Sequence, residues 1–153
     1  MAYFYADSSA LIKRHIAETG TAWVQHLMDA TSGNVVVTSR ISEVEVFSAF
    51  NRRVRESTLS STDYTNVVTD FIALAQTEYE FVEVTPLLIV ETRHLLEHYS
   101  LRAYDAVQLA AVLTVNTPLI TAGLASLTFL SADTRLLHVA AAEGLRTDDL
   151  NTH

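Results

Sequence analysis

The sequence predicts an α/β fold, a parallel sheet covered on both faces by helices, formed by one domain over residues 1–153. Three observations predict it. Short apolar segments alternate along the chain with longer segments of helical periodicity, the order that builds parallel sheets. The 153 residues suit one domain better than two. Hydrophobic residues make up 49% and charged residues 18%, enough apolar matter for a core and too little charge for a disordered chain.

Ala2 to Ala6 is aromatic-rich and runs into Asp7-Ser8-Ser9, a buried first strand followed by a helix cap, with the helix from Ser9 to about Ile16. A second helix follows Gly20 through Trp23, Val24, Leu27 and Met28 and stops near Ser32-Gly33. Val35-Val36-Val37 reads as a buried strand. From Ser42 to about Arg55, Val46, Phe47, Phe50 and Val54 share a helical face, and a second periodic stretch spans Thr62 to Gln76 after a turn at Glu56-Ser57-Thr58. Glu80 to Thr85 alternates as a strand. Thr85-Pro86 starts a helix carrying Leu88, Val90, Leu95 and Leu96. The Ala-rich helix from Ala103 to Val115 should stop before Thr117-Pro118. A loop around Gly123, a fourth strand at Leu127 to Leu130, and a final helix from Ala132 to Glu143, ended by Gly144, complete the chain.

Ten Lys and Arg against eighteen Asp and Glu leave a net charge of −8, which argues against binding nucleic acid through bulk charge but not against a metal-assisted contact. The absence of cysteine excludes disulfides, thiolate zinc sites and a cysteine nucleophile, and fits a reducing cytoplasm. No basic stretch precedes an apolar run at the N-terminus, and no segment approaches the roughly 18 apolar residues of a membrane span. The expectation is an untargeted cytoplasmic protein that does not engage a membrane.

Acidic residues recur where strands end and helices begin: Asp7 after the first strand, Glu43 and Glu45 after the second, Asp133 after the fourth. In an open α/β sheet those ends form the ligand-binding edge, and Asp105, opening the helix of LRAYDAVQLA, joins them if it faces the same way. Four carboxylates in one crevice repel one another and take up protons unless a cation sits among them. Mg²⁺ or Mn²⁺ suits an all-oxygen site and keeps waters that can attack a phosphodiester. Each acid alone also has a plain structural role, since Asp7 and Asp133 are good helix caps and Asp105 suits a helix dipole. Only their coincidence points to chemistry. On a helical wheel Glu45 lies with Ser48 and Arg52 on the polar side while Glu43 falls among Phe47 and Phe50, so the pattern leaves both glutamates open and slightly favours Glu43.

His94 and His98 are four apart on one helix with no further ligand nearby, which reads as a solvated face. The four glycines form no phosphate-cradling run, and Ser8, Ser9 and Ser131 lack a nucleophile elbow and read as helix-start hydroxyls. Arg52, Arg53 and Arg55 form a small basic run on a helix.

YADSSALIKRHIAE, TSRISEVEVFSAFNRR, LRAYDAVQLAAVL and FLSADTRLLHVAAAEGL, in this order, resemble the PIN-domain proteins over nearly the whole chain, and most nearly the VapC-type toxins, metal-dependent ribonucleases of toxin–antitoxin pairs. The resemblance implies that Asp7 is the acid after the first strand, Asp105 that of the D-A-x-x-L-A helix, and Asp133 the last acid. It assigns the glutamate to Glu45, followed by Val46, Ala49 and Arg52-Arg53 in the family's frame, in place of Glu43, and it gives Ser131 a supporting hydroxyl. The chain departs from the pattern at Arg40, where many relatives carry an acid, and in its acidity, which throws any RNA contact onto Arg52, Arg53, Lys13 and Arg14.

The resemblance further implies a three-layer α/β/α sandwich, a homodimer, a small antitoxin that occupies the acidic cleft, and an Mg²⁺- or Mn²⁺-dependent endoribonuclease whose ions are held by Asp7, Glu45, Asp105 and Asp133. The alternative is a non-catalytic module of the same fold that uses its acidic edge to hold a protein partner.

Overall fold

A computed structural model describes residues 1–153. Five strands form one parallel sheet in the order β3-β2-β1-β4-β5: β1 (Tyr3–Ala6), β2 (Val35–Ser39), β3 (Tyr79–Val82), β4 (Thr128–Ser131) and β5 (Arg146–Asp149). The helices are α1 (Ser8–His15), α2 (Thr21–Leu27), α3 (Ile41–Arg55), α4 (Ser61–Thr77), α5 (Pro86–His98), α6 (Ala103–Thr121) and α7 (Thr134–Ala142). No helix is long and apolar enough to cross a membrane.

Successive strand residues point to opposite faces, and this splits the apolar runs between two cores. Tyr5, in register with Val37 and Phe129, faces α5, α6 and α7 through Leu88, Leu95, Leu109 and Leu136. Ala6, Val36 and Leu130 face α1 to α4 through Leu11, Val24, Phe50 and Phe71. The architecture is the three-layer α/β/α sandwich expected. The chain builds outward from β1 to β3, then returns past β1 to build β4 and β5 on the other side. The strand order therefore reverses between β1 and β4, and the crevice beyond their carboxyl ends is where such sheets bind ligands.

Four elements differ from expectation, the first being β3, which stops at Val82 short of Thr85 because Thr85 is already the cap of α5. β5, with sequence Arg-Thr-Asp-Asp, has no apolar signal because it is an edge strand paired only to β4. The second helix ends at Leu27, and a short 3-10 turn at Ala30–Ser32 follows before Gly33. α6 runs through Pro118 to Thr121 instead of stopping before Thr117. The buried Asn116 accounts for this, because its Oδ1 accepts from the Leu127 N–H at 3.1 Å and the Ser126 hydroxyl at 2.9 Å, pinning the helix end to the approach of β4. Pro118 then forfeits one helical bond near the end, and Gly123 at φ +75° closes the helix. The C-terminal turn Leu150–Thr152 docks against the α1–α2 loop, where Gly20 has φ +87° and a Cβ would stand 2.3 Å from the Leu150 carbonyl oxygen.

Candidate active site

Asp7 follows β1 at the strand-order reversal and caps α1, its carboxylate accepting from the Ala10 N–H at 3.2 Å and from the Ser9 hydroxyl. Its own N–H donates to the Leu130 carbonyl, so β1 and β4 hold it between them. Ser9 also accepts from the Ala132 N–H at 2.9 Å, which ties the start of α1 to the β4–α7 loop. Asp7 is only 5% exposed. Burial raises its carboxyl to about 6; hydrogen bonds from Ser131, Ser9 and Ala10 oppose the rise, and the Glu45 charge adds to it.

Glu45 stands on α3 opposite the start of α1. Its Oε2 accepts from the Ser8 hydroxyl at 3.1 Å and its Oε1 from Gln108 Nε2 at 2.9 Å. Partial burial raises its carboxyl, those two hydrogen bonds lower it, and Asp105 raises it further. Beneath Glu45 runs a buried polar chain. Tyr5 donates to Gln108 Oε1 at 2.7 Å, and Gln108 Nε2 also donates to Ser42 Oγ at 2.8 Å. The Thr38 hydroxyl stands 2.8 Å from Ser42 Oγ and 2.7 Å from the Ala6 carbonyl. Since only Thr38 can donate to that carbonyl, Ser42 donates to Thr38, and every proton has an acceptor.

Asp105 lies in the first turn of α6, one turn before Gln108, so the helix directs both toward the same side. Partial burial and the Asp133 charge raise its carboxyl, while Arg102 and Arg135 lower it. Asp133 caps α7, accepting from the N–H groups of Arg135 at 3.0 Å and Leu136 at 3.2 Å. It shares one cavity with Asp105, Arg102 and Arg135. Glu45 borders a neighbouring cavity with Ser8, Arg52 and Tyr104.

The four acids are thus electrostatically linked in series, Asp7 to Glu45, Glu45 to Asp105, and Asp105 to Asp133. None has an ion-pair partner, yet no three Asp, Glu or His side chains converge closely enough to form a metal-binding cluster. Glu43 points elsewhere, pairing with Arg40 at 3.3 Å beside the groove of Phe47 and Phe81. The polar side of α3 is a wall of the cleft, and the Ser42, Gln108 and Thr38 supports behind it were not singled out by the sequence pattern. The signal the sequence held for them was Gln108, a lone amide set within the apolar run Ala106-Val107 and Leu109 to Leu113, and it proves to be buried. Of the expected cationic contacts, Lys13 is buried against Thr19 and Glu18, Arg14 binds Glu78 and Tyr79, and Arg53 pairs with Glu18. Arg52 alone of the four stays unpaired beside the cleft.

The model of the PIN domain family matches residues 4–142. The chain belongs to the PIN domain family. That family is one of nuclease-like hydrolases. Solved PIN-like structures share the fold at low identity. VapBC2 from Rickettsia felis, bound to a DNA fragment from their promoter, superposes with a TM-score of 0.59 at 8% identity over 96% of this chain and 98% of its own. PAE2754 from Pyrobaculum aerophilum gives 0.60 at 18% identity over 99% and 91%. VapC20 from Mycobacterium tuberculosis, a sarcin-ricin loop cleaving toxin, gives 0.60 at 15% identity over 89% and 94%. No curated protein matches the sequence closely enough to serve as a relative.

Proposed function

We propose that this PIN domain is an Mg²⁺- or Mn²⁺-dependent endoribonuclease, the cytoplasmic toxin of a toxin–antitoxin pair, with Asp7, Glu45, Asp105 and Asp133 holding one or two ions. The observation that carries the reading is four acidic side chains set around the strand-order reversal, Asp7 buried, Glu45 and Asp105 half-buried, and Asp133 exposed on the cavity it shares with Asp105, with no cation paired to any member. Asp7, a carboxylate buried without a paired cation, is a cost to the fold that a hard divalent ion lowers. The donor set fits such an ion, which is ordinarily held through one or two carboxylates with water filling the remaining positions, so a dense protein cage is not required.

When bound, the ion supplies an activated water and neutralises charge developing on the phosphate. The protein's own part is positional. Ser9 and the Ala10 N–H fix the Asp7 carboxylate, Ser8 and Gln108 fix that of Glu45, and the α7 cap fixes that of Asp133. The acidic cleft offers an antitoxin a place for a basic side chain, and Leu87, Ile89 and Val90, exposed on α5, offer apolar surface for a homodimer.

The second reading, a non-catalytic module that holds a protein partner by the acidic cleft, is favoured by one observation, that no three acids converge. A divalent-ion titration on labelled structured RNAs separates the two. The nuclease cleaves with Mg²⁺ or Mn²⁺ and stops in excess chelator; a module cleaves under neither condition.

A further inference from the structure

The chain carries ten Lys and Arg. Five are engaged in ion pairs: Lys13, Arg14, Arg40, Arg53 and Arg93. Three of the remaining five, Arg52, Arg102 and Arg135, border the two cavities that contain Glu45, Asp105 and Asp133. A protein of net charge −8 has thus spent half its cations on internal pairing and set most of the free ones around its most acidic cleft. If the fold alone set their positions, the nearby carboxylates would be expected to hold them, and none does at ion-pair distance. Their side chains remain available for an external anion.

The aromatic residues show the same selection. Among six phenylalanines, six tyrosines and one tryptophan, Tyr104 alone is left largely in solvent, at 53% exposure. It occupies the first turn of α6, directly before Asp105 and two residues after Arg102, and borders the Arg52 cavity. It has no aromatic or cationic side chain stacked on it. An exposed ring that borders the cavity of one free guanidinium group and follows another by two residues matches the pattern by which proteins grip a strand, phosphates on the cations and a base on the ring.

We propose that Tyr104 is a base-stacking platform and that Arg52 on one side of it, and Arg102 with Arg135 on the other, hold the phosphates of an RNA strand laid across the start of α6. This assignment rests on the ribonuclease reading and adds to it the residues that position the strand. A base inside a duplex has both faces covered by its neighbours, so the platform favours an unpaired nucleotide next to the scissile bond. The arginines, by contrast, act on any phosphate backbone.

The test is fluorescence anisotropy with a fluorescein-labelled unpaired RNA of about 12 nucleotides, and with the same strand annealed to its complement, in Ca²⁺ at several salt concentrations. Tyr104→Ala should weaken the unpaired RNA about tenfold and leave the duplex unchanged, while Tyr104→Phe, which keeps the ring, stays within about twofold of wild type. Arg52→Gln, Arg102→Gln and Arg135→Gln should each weaken both RNAs and lower the slope of log affinity against log salt by about 1. All four side chains are exposed, so the variants should melt with the wild type. Equal binding by Tyr104→Ala and wild type, an equal loss for both RNAs, or a loss in Tyr104→Phe as large as in Tyr104→Ala would overturn the platform. Wild-type protein that cuts RNA without any dependence on Tyr104 removes the platform and leaves the nuclease. Wild-type protein that shows the binding pattern but cuts no RNA with any divalent ion removes the nuclease and leaves the binding face.

Discussion

Gln108 reaches from α6 to α3 and donates from Nε2 to Glu45 Oε1 at 2.9 Å, while its Oε1 accepts from the buried Tyr5 hydroxyl at 2.7 Å. One amide thus links the central strand to an acid of the cleft, and all of its hydrogen-bonding capacity toward these neighbours and Ser42 is used.

Replacing Gln108 by Leu should therefore do two things. It removes the acceptor of the Tyr5 hydroxyl in the core, leaving that group only its Ser39 contacts, and should cost about 1 kcal/mol or more of stability in urea unfolding. It also frees Glu45, so cleavage should fall further than the stability loss explains when both are measured at a temperature where the variant is folded.

Asp7 predicts a pH effect of definite sign. Its folded carboxyl is raised to about 6 from an unfolded value near 3.8. The folded state holds that proton more tightly, so the ionised group destabilises the chain above pH 6, and the burden lifts as pH falls from 6 toward 4. In chelator, Asp7→Asn should be more stable than wild type by roughly 2 kcal/mol at pH 7.5, with the advantage vanishing near pH 4. Mg²⁺ or Mn²⁺ should raise the melting temperature of wild type more than that of Asp7→Asn. Identical metal-induced shifts in the two proteins would count against Asp7 as a ligand.

His15 predicts the opposite slope in the same pH range. Its ring packs edge-on against Phe50 and Phe71, its Nε2 is buried without a partner, and burial, with Arg14 adding to it, lowers the group to about 4. The unfolded chain then binds the proton more readily, so stability is intact above pH 6.5 and is lost as pH falls from 6.5 toward 4. His15→Leu should gain about 1 kcal/mol on wild type between pH 7 and pH 5, and a difference that does not change with pH would refute the buried neutral imidazole.

Gly20 predicts a backbone effect. Ala there combines a left-handed φ with a Cβ 2.3 Å from the Leu150 carbonyl oxygen, so Gly20→Ala should lose about 2 kcal/mol or more and loosen the C-terminal turn, read as faster amide exchange at Leu150 and Asn151. Ala at Gly33, where no atom stands within 4 Å of the added carbon, should lose less.

Much of this architecture was legible in the sequence because apolar content and element type coincide. Val35-Val36-Val37 is buried on both faces and reads so, and Thr85-Pro86 caps α5 as written, with the Thr85 hydroxyl accepting from Leu88 N–H at 3.2 Å. Legibility fails where tertiary partners replace local signals. β5 is polar because it lies at an edge; α6 outruns its proline because Asn116 is anchored to the start of β4. The helical wheel placed Glu45 on a solvated side of α3, but that side faces Ser8 and Gln108, distant in sequence. A wheel shows that a face is polar and cannot show whether water or a cleft lies against it.

Asp105 gives the most direct measurement of the central claim. Asp105→Asn keeps the shape and hydrogen-bonding capacity of a half-buried side chain and removes the charge that would hold a divalent ion. Labelled RNA should be cleaved by wild type only with Mg²⁺ or Mn²⁺ and not by a folded Asp105→Asn protein under any condition, and wild-type expression without an antitoxin should arrest growth while expression of the variant does not. Cleavage by folded Asp105→Asn, or by wild type in excess chelator, would contradict the account.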